Sequence, residues 1–366
     1  MPLPLILGAA ALAAGAYGVK KGYDGYQSHS EADDIVNRAK KRYARNREVF
    51  DAQEAATTSA LEVLGKEELR IGQCFNEFKI LADKLLHKLN ASRQDKLEIN
   101  IPKHKLNSVD SYSYTAIGVL GTVAGAGVTG AATGFAIYGG VMALGAASTG
   151  TAISSLAGVA ATNATLAAIG GGSLATGGLG MAGGTAILGA AVAGPVLAIA
   201  GWAYNSHGEE SLKNARKAES EVNSAVEKLK RAQQNLSDIK RYSSDILSVL
   251  KSIYEQFDKY FEVLKEISDW IETSGSTKQN AQAKLAQVND TVIYAIQNGY
   301  ALAAILVDLI TTPLFKVKYV NGEVVKDKNG VSIMETDEDG SMILNKDRLD
   351  QEIDKAKEKA ARREST

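Results

Sequence analysis

The chain has 366 residues, 41 Lys+Arg against 42 Asp+Glu, four His, one Cys and 6% aromatics. A net charge of −1 supplies no bulk attraction for nucleic acid or a polyanionic substrate. The single Cys74 excludes a disulfide framework or a thiolate metal cluster within one chain.

Pro2 to Val19 is apolar and rich in Ala and Gly, and Lys20-Lys21 follows it. No basic region precedes it, so a cleavable secretory signal is not expected. Residues 1–22 read instead as an apolar helix that touches a membrane or packs on another apolar part of the chain. The next region, 30–110, is expected to form long amphipathic helices. No Pro interrupts it between Pro4 and Pro102, and Ile35, Ala39, Tyr43, Phe50, Leu61, Leu64, Phe75, Phe78, Leu81, Leu85 and Leu89 form an apolar stripe. Thr57 interrupts that stripe, Gly65 and Gly72 are candidate kinks, and Cys74 reads as a buried structural thiol. Six basic residues, Arg38, Lys40, Lys41, Arg42, Arg45 and Arg47, crowd into ten positions. They read as a solvated surface or as an attraction for anionic lipid.

Residues 111–208 contain no Asp, Glu, Lys or Arg. These 98 residues include 23 Gly and 25 Ala, and only 24 are Leu, Ile, Val, Phe or Met. The length permits three or four membrane spans, although Ala and Gly contribute little transfer free energy. Helices are expected over 114–147, 151–169 and 179–204. Gly121/Gly125, Gly130/Gly134 and Gly180/Gly184 are small-xxx-small pairs, and Ala132, Ala136 and Gly140 form a similar row. Trp202 is placed as an interfacial aromatic. Glycines are plentiful, but no phosphate-binding G-x-x-x-x-G-K-[ST] or dinucleotide fingerprint accompanies them.

Over 209–312 a coiled-coil helix and a third bundle helix are expected. The coiled-coil seam runs through Leu229, Leu236, Ile239, Ile246, Leu250, Ile253, Phe257 and Leu264. Only Ser243 is wholly polar on the longer stripe from Ala215 to Ile271. Val292 to Ile310 is nearly all apolar, and Gln297, Asn298 and Asp308 favour a packed interior over lipid. In 313–345, period-two alternation with Asn321-Gly322, Asn329-Gly330 and Asp339-Gly340 predicts a small β meander, a lid or docking patch. Glu335, Asp337 and Asp339 imitate part of an EF-hand loop, but Lys346 stands at its closing position, so a turn is expected there. A charged helix occupies 346–366.

The expected fold is mainly α: an elongated bundle of long antiparallel helices with an apolar Gly/Ala-rich head, plus the C-terminal meander. Neither a His pair at metal-ligand spacing nor a nucleophile elbow is present, so no catalytic residue, metal or cofactor is expected.

The runs Gly150-Thr-Ala-Ile-Ser-Ser-Leu-Ala-Gly, Ala161-Thr-Asn-Ala-Thr-Leu and the Gly-rich stretch from Gly170 to Gly184 resemble a segment recurring in uncharacterised bacterial proteins. That resemblance implies a bacterial source. The wider layout resembles the α-helical pore-forming toxins of the cytolysin A and haemolysin BL group, and apolipoprotein L. It implies conversion between a water-exposed form and a membrane-inserted one, and no residue is carried over from those families. The expected function is therefore non-enzymatic: a membrane-active helical protein that inserts its Gly/Ala-rich head and oligomerises, as a pore former. The alternative is a constitutively membrane-anchored coiled-coil scaffold that recruits a protein. Expected partners are a lipid bilayer and a second copy or related helical protein, without nucleic acid or small-molecule substrate. The expected location is membrane-associated in a bacterium.

Overall fold

A computed structural model describes residues 22–90, 101–123, 132–137, 208–273, 287–325, 333–338 and 341–364. Six helices account for most of them: α1 (Gly22–Asn90), α2 (Lys103–Val123), α3 (132–137), α4 (Gly208–Thr273), α5 (Asn289–Ile310) and α6 (Lys346–Glu364). The chain is mainly α with one small antiparallel sheet. It divides into two compact units. Unit 1 comprises Met1–Val49 and Val192–Lys230, and unit 2 comprises Phe50–Ala191 and Arg231–Thr366.

The length of α1 and α4 follows from their sequences. Each has an apolar position every three or four residues, no proline, and charged groups on the remaining faces, so helical hydrogen bonding continues unbroken for 69 and 66 residues. At 1.5 Å per residue each is about 100 Å long.

The two helices run parallel within each unit, which corrects the antiparallel expectation. In unit 1, Ala32, Ile35 and Val36 pack on Ala215 and Leu212, while Ala39 and Tyr43 pack further along on Val222 and Val226. In unit 2, the Thr57 hydroxyl shares its proton between the carbonyls of Gln53 at 2.8 Å and Leu236 at 3.0 Å. Further on, Tyr254 donates to Cys74, Phe75 meets Phe257, and Lys84 pairs with Glu272. Residue numbers rise together at every one of these contacts. Side-chain size accounts for the direction: alanines of the two helices share unit 1, and Phe75 and Phe78 meet Phe257 and Phe261 in unit 2. An antiparallel pairing would set bulky rings against alanines and leave voids.

Both polar interruptions of the apolar stripes are satisfied. Thr57 is fully buried and bonded as above, and buried Ser243 donates to the Ile239 carbonyl at 2.8 Å. The eight seam residues from Leu229 to Leu264 are all buried.

Helix α5 ends at a Thr311 cap whose N–H donates to the Val307 carbonyl, just before Pro313. It is the one helix among the described residues long and apolar enough to cross a membrane, yet 67% of its apolar window is buried in the protein. Phe78 fits against Gly299, where a Cβ would overlap the ring, and Tyr300 lies edge-on to Phe78 at 5.1 Å. Asp308 receives Lys105 of α2 and Lys359 of α6.

Strands β1 (Tyr319–Val320) and β2 (Glu323–Val324) close on Asn321 and Gly322, with φ of 53° and 82°. These left-handed conformations are what a two-residue Asn-Gly hairpin needs. Bridges Phe315–Leu344, Val317–Met334 and Thr336–Met342 extend the meander. The Asp337 carboxylate accepts the Ser341 N–H at 2.9 Å, closing a turn of the meander. Asn235 of α4 donates to the Met342 carbonyl, and Lys346 and Asp350 reach Asp238 and Tyr242. The meander and the start of α6 therefore rest on α4.

Candidate functional site

Gly65, Glu68 and Gly72 recur at i, i+3 and i+7, which places them on one face of α1. That face carries the described beginning of the uncharged segment. A Cβ on Gly65 would overlap the Ala132 carbonyl of α3, and one on Gly72 would be driven into the Ala116 Cβ and the Tyr112 ring of α2. The two glycines thus permit a helix-on-helix approach that no other residue allows, and α1 continues through both without interruption.

Two hydroxyls of the uncharged segment fasten the seam. Tyr112 donates to the Glu68 carbonyl at 2.6 Å, and Ser113 donates to the Gly72 carbonyl at 2.9 Å. The Tyr112 ring sits between Phe75, at 6.3 Å, and Phe135, at 6.1 Å. Phe75 in turn contacts Phe257, so the seam continues into the α1–α4 core. At its lower edge Lys79 pairs with Asp110, the last charged residue before the uncharged segment, at 2.5 Å.

Glu68 is the unexpected member. Glu68 is 4% exposed, and no ion pair to its carboxyl is present among the described residues. Burial holds its pKa well above the ordinary carboxylate value. Burial likewise raises the Tyr112 phenol, with the adjacent Glu68 as the secondary cause. The arrangement brings together two hydroxyls, one buried acid, small residues and the rings of Tyr112, Phe75 and Phe135, with neither a nucleophile–base pair nor a cluster of three or more metal-ligating side chains among the described residues.

The far side of α2 is open. Tyr114 and Ile117 are 49% and 37% exposed, and a Cβ at Gly121 would meet nothing within 4 Å. Among the described residues, Gly121 therefore packs closely on no other helix. Gly134 is buried in α3, while Gly125, Gly130, Gly140, Gly180, Gly184 and Trp202 lie outside the described residues, as do the expected breaks and the helices beyond 137. The close-approach glycines at this contact are on α1, opposite the uncharged segment. Their signal was the spacing of Gly65, Glu68 and Gly72 on one face of α1. Cys74 is half-buried rather than buried, with its sulfur accepting the Tyr254 hydroxyl at 3.2 Å. Burial, and secondarily that thiol, pushes the Tyr254 phenol upward.

No family model, curated protein or solved structure matches the chain.

Proposed function

We propose that this protein is a non-enzymatic, membrane-active helical protein. Its polar bundle holds the beginning of the uncharged Gly/Ala-rich segment against α1 and yields the segment to a lipid bilayer, where copies assemble into a pore. The observation that supports this most is the contrast at the seam. A 98-residue stretch without one charged side chain begins on a face of α1 where two glycines and a buried acid let it approach closely, with Tyr112 packed on Phe75. Small residues give close contact but themselves release little hydrophobic free energy when covered. The same small residues suit helix–helix contact inside a bilayer.

The test uses a Cys74→Ser background with an environment-sensitive dye on Ala136→Cys, in the docked α3, and on Ala186→Cys. Adding anionic liposomes should blue-shift both dyes; confirmed binding without a shift at either position refutes insertion. Replacing Gly130 and Gly134 with Leu should preserve liposome binding yet lower release of entrapped dye, because the added side chains hold neighbouring helices apart. Undiminished release refutes assembly through those glycines. An alkaline carbonate wash separates this reading from the constitutive scaffold. A transferable segment leaves protein in both supernatant and pellet, and a permanent anchor leaves it in the pellet alone.

A further inference from the structure

Unit 1 has a charge distribution unlike the rest of the chain. From residue 35 to residue 47 there are six cations and no acid, bounded by Asp34 and Glu48. The helix sorts them. Arg38, Lys41, Arg42 and Arg45 stand at i, i+3, i+4 and i+7, within an arc of about 100° and over about 10 Å of axis. All four are exposed, whereas Lys40 and Arg47 are half-buried and fall on another side of α1. Among the described residues only Arg42 of the four has an ion-pair partner, Glu219, at 3.9 Å.

The placement of this basic face points to its occupant. Ala32, Ile35 and Val36 pack on Ala215 and Leu212, and numbering rises together along both helices, so α1 and α4 begin at the same end of unit 1. Two weakly polar stretches of sequence lead into those beginnings. The apolar run Pro2–Val19 with Lys20-Lys21 precedes Gly22, and the uncharged stretch 111–208 leads into α4 at Gly208.

We propose that Arg38, Lys41, Arg42 and Arg45 form a docking face for the anionic headgroups of a lipid bilayer, laying the start of α1 along the membrane that receives the uncharged segment. This rests on the membrane reading above and adds which lipids are recognised and by which residues. Lysine and arginine near a negative membrane surface gain an attraction that salt screens, and four on one face gain it together. Guanidinium groups add forked hydrogen bonds to phosphate and carboxylate oxygens of the headgroups.

The experiment is vesicle flotation of the full-length protein. It compares pure phosphatidylcholine with phosphatidylcholine containing 30% phosphatidylserine, at low and at physiological salt. The test variant is R38Q/K41Q/R42Q/R45Q, whose exposed positions and retained helix content, checked by circular dichroism, keep the fold intact. Wild type should prefer the phosphatidylserine vesicles, and salt should weaken that preference. The variant should lose about 30-fold or more in partition onto them while matching wild type on phosphatidylcholine, a conservative share of what four cations near an anionic surface are worth. Variant and wild type binding phosphatidylserine vesicles equally would overturn the basic face and leave the membrane reading standing. Wild type floating with neither vesicle would overturn both. Tighter binding of wild type to a single-stranded polynucleotide than to phosphatidylserine vesicles at the same salt would also overturn the lipid assignment, in favour of nucleic acid.

Discussion

Gly65→Ala adds one methyl group, and the structure sets two effects against each other. In an exposed helix interior, Gly to Ala is worth about 1 kcal/mol in favour of the helix. At Gly65 the new Cβ would overlap a backbone carbonyl, that of Ala132, which cannot rotate aside as a side-chain tip would. Overpacking of this kind costs about 1–3 kcal/mol. The net expectation is a loss of about 0–2 kcal/mol, or detachment of α3 in place of strain. Gly121→Ala is the internal control: a Cβ there meets nothing within 4 Å, so only the propensity gain of at most about 1 kcal/mol remains. The difference between the variants, about 1–3 kcal/mol, isolates the overlap. With a urea m-value near 3 kcal/mol/M it separates their midpoints by about 0.3–1 M, Gly65→Ala unfolding first. A dye on Ala136→Cys in the Cys74→Ser background reports the other route, shifting to the red in Gly65→Ala if α3 leaves the seam. Equal stabilisation by both substitutions, with an unchanged dye spectrum, would refute the account of the seam.

Glu68 sets a pH dependence of definite sign. Its folded pKa is raised by burial, so its contribution to stability is complete below the ordinary value of 4.5 and is lost as pH rises through the raised folded value. Glu68→Gln keeps the shape and removes the ionisation. The variant should therefore gain on wild type as pH rises above 4.5, and urea midpoints that stay parallel as pH rises would contradict the burial of this acid. Tyr112 is the ionisable neighbour of that carboxyl and loses its own proton only at more alkaline pH. The parallel arrangement predicts that Ala39→Cys and Val222→Cys in the Cys74→Ser background crosslink to each other through a short bismaleimide. An antiparallel pair would leave that product missing from the gel. Leu250 is fully buried in the seam, so Leu250→Ala should cost about 2–5 kcal/mol. Leu250→Asp, which buries an unpaired charge, should cost more, and a wild-type melting temperature for either would mean the seam is not packed.

Much of this protein follows from periodicities that local chemistry alone decides. Apolar spacing of three and four without proline requires α1 and α4, and the run from Val292 to Ile310 with its polar residues suits the buried helix α5. Asn321-Gly322 requires a tight turn whatever surrounds it, because the positive φ values are a property of those two residues. The direction in which α1 meets α4 was not legible in the same way. A helix presents the same stripe to a parallel partner as to an antiparallel one, and only matching the alanine-bearing parts with each other and the phenylalanine-bearing parts with each other settles it. The roles of Gly65, Gly72 and Glu68 are likewise tertiary. A glycine is a weak point in an isolated helix and becomes a necessity when another backbone lies against it. A glutamate on a long charged helix reads as solvated until Tyr112 and the residues around it exclude water from its carboxyl.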